Sequence, residues 1–235
     1  MRNRNRIPVI ALLIAAFVGV IAPSANAAAS RYITVSAQGT VQVTPDAVRI
    51  NATATNVAAT SKDALAANAK TATSVRAALK ATKIDTKDVA TQTVSVYPEY
   101  KYATDGTSTQ IGYRASQSFS IVVRAADTAG SVVDALVLAG GDSLQINGAN
   151  PFVLDSTKSL ESARAAAVKS AKSKASSYAK LMGVKIGKVN FLVENSSPSN
   201  YSPVMAVAKA ESDATVIDLG QQDVTISVTV QWALL

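Results

Sequence analysis

Five apolar side chains, Val224, Ile226, Val228, Val230 and Trp232, alternate with Thr225, Ser227, Thr229 and Gln231 at the C-terminal end of the chain. A period of two with one apolar and one polar face is the pattern of a half-buried β-strand. Its position constrains the fold more than any other feature. A sheet that needs the last segment of the chain is completed by a distant partner, so the architecture cannot be a simple run of neighbouring units.

The remaining elements mix hairpins with helices. Tyr32 to Ser36 alternate and predict a short strand that Gly39 breaks; extended character resumes over 41–57, with Val48, Ile50, Ala52 and Ala54 on one face and Pro45 at the bend. Leu65, Ala69, Ala72, Val75 and Leu79 form one apolar stripe, which predicts a helix over 61–81 with Ser61 as N-cap. Strands are expected over 89–102, with Val94 and Val96 on one face, and over 111–124; the Asp105-Gly106 turn joins them as a hairpin. A second helix over 127–138 starts at Asp127 or Thr128, carries Val132, Val133, Leu136 and Val137, and stops at Gly140-Gly141. A strand over 144–154, with a bulge at Gly148 or Pro151, leads to the longest helix, 155–182. There Leu160, Ala163, Ala167, Ala171, Tyr178 and Leu181 define the apolar arc. A strand over 185–194 and a polar loop over 196–203 precede the closing strand. This order predicts an α+β fold, a mixed or antiparallel sheet of hairpins packed with three helices. It forms either one generous domain over 28–235 or two small lobes sharing a core.

The N-terminus predicts export. Arg2, Arg4 and Arg6 precede an apolar run over 7–22, and Pro23 and Ala25-Asn26-Ala27 follow. These are the three parts of a cleavable signal peptide, residues 1–27, with the cut between Ala27 and Ala28 or after Ala29. The run is shorter than the roughly 20 residues a membrane span needs, so no transmembrane anchor is expected after processing. Removing the three arginines lowers the net charge from +7 to +4. That mild excess gives no footprint for nucleic acid.

Composition then removes most chemistry. The chain has neither histidine nor cysteine. Ser-His-Asp and Cys-His catalysis, histidine or cysteine metal sites, thiol redox chemistry and disulfides are therefore excluded. No cofactor motif occurs, and no catalytic, cofactor-binding or metal residues are expected. Gly141-Asp142-Ser143-Leu144 spells an esterase nucleophile block, yet a base is missing, and the same residues read as a turn. A Ser-Lys dyad drawn from Ser156, Lys158, Ser170, Lys172, Ser173 and Lys174 needs a desolvated lysine, whereas Lys158 and Lys172 fall on the wet face of the long helix. Arg164 and Lys174 border its apolar face and must snorkel.

Two features could bind a partner. Lys169 and Lys172 belong to a lysine row that suits an acidic envelope component, the bland alternative being a solvated helix face. Tyr97, Tyr100, Tyr102 and Tyr113 gather on one hairpin, which suits either cross-strand tyrosine pairing or recognition of a protein by an aromatic tip. Low aromatic content, 5%, leaves a core of small side chains, for which self-association would add burial.

Several stretches, in order, resemble the SIMPL-domain (DUF541) family. They are Ile33-Thr34-Val35 with Gly39, Val43-Thr44-Pro45-Asp46-Ala47, Ile84-Asp85-Thr86-Lys87-Asp88-Val89, Ile111-Gly112-Tyr113-Arg114-Ala115 and Phe152-Val153-Leu154. The alanine-rich helix around Ala163-Arg164-Ala165, then Leu181-Met182-Gly183-Val184 and the closing strand complete the set. The chain departs from the family pattern at Ala37 and Lys83, where glycine is usual. The resemblance implies an exported α+β protein without known catalytic residues, similar to bacterial 26–28 kDa periplasmic or outer-membrane immunogenic proteins. It also implies a tendency to form homo-oligomers and a link to envelope or oxidative stress.

Overall fold

The computed structural model describes residues 31–195, 203–204 and 215–235. The leader with its cleavage residues Ala27 and Ala28, and most of the 196–213 stretch, lie outside these. Among the described residues there are three α-helices and two antiparallel sheets, an α+β fold.

The central sheet has the order β3-β4-β2-β5. Its strands are β2 (Ala47–Ala58), β3 (Val89–Tyr102), β4 (Ser108–Val123) and β5 (Leu144–Phe152). Helices α1 (Ser61–Ala81) and α2 (Ala129–Gly140) cover one face. Val48, Ile50, Phe119, Ile121 and Val123 meet Val75, Leu79, Val132 and Leu136 there, all buried. The other face carries a hydroxyl ladder in which Thr53 pairs with Ser118 and Thr55 with Ser116. β3 is an edge strand, so Val94 is exposed where alternation suggested a buried face.

The cap and the stripe of α1 differ from the sequence expectation. Thr60, not Ser61, is the N-cap: its Oγ1 accepts from the Asp63 N–H at 3.1 Å and donates to Asp63 Oδ2 at 2.7 Å. At the start of the helix the buried positions are Ala64 and Asn68, while Leu65 is 44% exposed and Ala69 is exposed. The reason is polar. Asn68 Nδ2 donates to the carbonyls of Ala54 at 2.8 Å and Ala115 at 3.2 Å, so the amide links α1 to β2 and β4. A buried amide is tolerable only when so paired.

Helix α2 also starts later than expected, after a single 3₁₀ turn at Ala126–Thr128. Val137 is exposed, and Ala129 and Gly130 are buried in its place. The C-terminal segment explains this. Thr215 donates to Asp134 Oδ1 at 2.6 Å, and its carbonyl lies 1.8 Å from where a Cβ on Gly130 would be. Ile217 and Leu219 then pack on the central core.

The terminal sheet has the order β1-β8-β6, with β1 (Tyr32–Val43), β6 (Ile186–Glu194) and β8 (Gln221–Leu234); the two-residue β7 (Pro203–Val204) also pairs with β8. The closing strand is therefore central. Its residues Val224, Ile226, Val228, Val230 and Trp232 are buried under α3 (Thr157–Leu181). On the open face Ser36 shares a hydrogen bond with Thr229, and Thr40 with Thr225.

Gly39 does not break β1. The strand runs through it, and an added Cβ would stand 2.2 Å from Ala167 N and 2.3 Å from Ala163 O. Glycine here permits the backbone of α3 to lie on the sheet. The buried row of α3 is Ala163, Ala167, Ala171, Ala175 and Ala179, whereas Tyr178 and Leu181 are exposed. So close an approach leaves no room for large side chains, and they turn outward. The bend at 44–46 and the irregularity opposite Gly148 both stand where the sequence put them. Gln222 Nε2 donates to the Pro151 carbonyl at 2.7 Å, joining the two sheets.

Candidate binding surfaces

The lysines and tyrosines singled out in the sequence lie on different layers. Lys169 and Lys172 are exposed on the outer side of α3, above the terminal sheet. The tyrosines lie on the β3–β4 arm of the central sheet. The register sets no tyrosine directly opposite another: Tyr97 stands opposite Arg114, Pro98 opposite Tyr113, Tyr100 opposite Gln110 and Tyr102 opposite Ser108. Tyr97 is 66% and Tyr102 75% exposed, Tyr100 is exposed and Tyr113 is half-buried. Adjacent strand positions face opposite ways, so Tyr97 and Tyr113 do not share a surface. The arm is stiffened by Arg114, whose Nε and Nη2 donate to both oxygens of Glu99.

The nucleophile motifs have structural partners. Gly141 (φ 51°) opens the 3₁₀ turn Gly141–Ser143 that ends α2, and Ser143 Oγ accepts from Asn56 Nδ2 at 3.0 Å. Lys158 and Lys172 are exposed, and the exposed Lys174 donates to the Ser36 carbonyl at 3.3 Å. Arg164 clamps Glu194 on β6. Both border residues thus reach the sheet edge as snorkelling side chains do.

A cleft that sequence reading did not locate opens where α1 gives way to β3. It is an open cleft of about 550 Å³, lined by Arg76, Leu79, Lys80, Lys83, Ile84 and Val89, among others. Arg76 lies over the Phe119 ring, 5.3 Å from its centroid, and donates to Thr91 Oγ1 at 3.3 Å. Below the cleft, Arg124 donates through Nε and Nη2 to Asp88 at 2.8 and 2.7 Å, and this pairing holds the Asp88 carboxyl below the usual aspartate range.

Backbone geometry marks the cleft. The Lys83 N–H donates to the Lys80 carbonyl and the Ile84 N–H to the Leu79 carbonyl, the two bonds of a Schellman motif. The residue after the cap must then be left-handed, and Lys83 has φ 63°. Helix α3 ends in the same way, through Gly183 N–H to Lys180 and Val184 N–H to Ala179, but with glycine at φ 69°. A side chain in this conformation costs about 1 kcal/mol. The one signal in the sequence was Lys83 itself, a departure from the pattern that the chain resembles.

Residues 33–232, which begin within β1 and end within β8, match the profile of SIMPL, described as a protein of unknown function (DUF541). The chain belongs to the SIMPL family. Among its relatives in this family is the 26 kDa periplasmic immunogenic protein of Brucella melitensis, 28% identical over 211 residues, which covers 84% of this chain and 82% of that protein. The uncharacterized protein YggE of Edwardsiella ictaluri is 30% identical over 227 residues, 90% of this chain and 91% of the relative. The SIMPL match includes both sheets, all three helices and the cleft. Among the described residues no group of three or more acidic, histidine or cysteine side chains could hold a metal, and no helix is long and apolar enough to cross a membrane.

Proposed function

We propose that this chain is an exported, non-enzymatic protein of the periplasm or cell envelope that assembles with copies of itself. Its leader-like N-terminus and a relative named as periplasmic support export. The exposed lysines and the absence of histidine and cysteine support a non-catalytic role.

The observation that carries assembly is the outer edge of the terminal sheet. β6 pairs with β8 on one side, and among the described residues no strand pairs with its other side. Val189, Phe191, Leu192 and Val193 on this edge strand are all exposed. An apolar edge strand with no neighbour on one side among the described residues is a template for another strand. Two β6 edges meeting antiparallel would extend the sheet across a two-fold axis, each copy contributing the same surface.

Light scattering on residues 28–235, over a concentration series, tests this. Oligomers are expected, and Leu192→Lys with Val193→Lys should convert them to monomers. A wild-type chain that stays monomeric at every concentration would refute the proposal.

A further inference from the structure

We infer that the cleft between α1 and β3 binds a small amphipathic anion, a carboxylate or phosphate head on a short apolar tail. The chemistry of the lining selects this class. Leu79, Ile84 and Val89 supply apolar surface, while Arg76, Lys80 and Lys83 bring three cations to the same lining. The one carboxylate in the lining, Asp85, is already engaged by Lys87 at 3.1 Å. Thr86 and Thr91 add hydroxyls that can donate to an anionic head. A volume of about 550 Å³ is in the usual range for a small-molecule site.

Lys83 is the observation that separates a site from an incidental groove. It is the only non-glycine residue with positive φ among the described residues. Glycine would serve the helix end better, as Gly183 does at the end of α3. At Gly183 an added Cβ would meet nothing within 4 Å, so glycine there answers backbone strain and not crowding. Strain retained at one helix end and relieved at its counterpart points to a use for the side chain. The matching cleft beyond α3 is smaller, about 360 Å³; it has Lys180 and Lys185 in its lining, two cations against three, and its left-handed residue, Gly183, adds no third.

The test is a titration of the ¹⁵N-labelled mature chain with octanoate, octyl phosphate and octanol, each below its aggregation limit. Saturable amide shifts confined to residues 76–91 are expected with the anions, weakened by about 0.5 M salt, and none with octanol. Whichever anion binds more tightly identifies the head group. Lys83→Gly should lose about fivefold in affinity with no fall in melting temperature, so the loss cannot reflect unfolding. Lys80→Gln added to it should bring the loss to about tenfold or more. Equal binding of octanol, unchanged binding by the double variant, or no saturable shift at millimolar anion would each overturn the inference.

Discussion

The central sheet is covered by two helices that bury Val75, Leu79, Val132 and Leu136, whereas the terminal sheet is covered by one helix that buries five alanines. In the first, interdigitating side chains fill the space and can adjust individually. In the second, the fit is made by backbone: α3 lies on β1 over Gly39, and most of the apolar volume comes from β8. A side-chain interface absorbs change by shifting rotamers, while a backbone interface has nothing to shift. The two layers should therefore respond differently to substitution.

The largest effect is expected from adding a single methyl group to the terminal layer. Gly39→Ala would drive a Cβ into the backbone of Ala163 and Ala167, and should destabilise by about 3 kcal/mol or more. Removing two methyl groups from the central layer, in Val75→Ala, should cost less, about 2 kcal/mol. Denaturant unfolding of both variants checks the order, and a reversal would break the comparison.

Next come the ion pairs that tie each layer's edges. The Asp88 side chain is 8% exposed against 32% for Glu194. Asp88→Asn should cost about 1–2 kcal/mol at neutral pH, and Glu194→Gln less than about 1 kcal/mol. Hydrogen bonding from Arg124 holds the Asp88 carboxyl below its usual range, so the unfolded chain takes up the proton more readily than the folded one. Its contribution is therefore complete above about pH 4 and declines as pH falls through the lowered folded value. Unfolding curves at neutral and acidic pH should converge for wild type and Asp88→Asn; parallel curves would disprove the linkage.

A comparably small effect, and the sharpest, is expected from an exchange between the helix ends. Lys83→Gly should stabilise by about 1 kcal/mol and Gly183→Lys should destabilise by a similar amount. The same Schellman bonds close both helices, so thermal melts of the two variants isolate left-handed strain from everything else.

Much of the secondary structure was legible because it is written in local period. The α1 bounds, the alternation of β8, the Pro45 bend and the Asp105-Gly106 turn each depend on residues within a few positions of one another. The family was legible too, because its motifs keep their order along the chain. What only the tertiary structure decided were contacts between distant segments. Gly39 looks like a strand breaker until α3 is laid across it, and Leu65 looks buried until Asn68 finds the carbonyls of Ala54 and Ala115. The tyrosines look directly paired until the register places Arg114, Pro98, Gln110 and Ser108 opposite them. The cleft needed α1, the turn after it and β3 together, and only its strained lysine left a trace in one dimension. Periodicity states which face of an element is apolar; which backbone comes close enough to need a glycine or an amide is set by partners far along the chain.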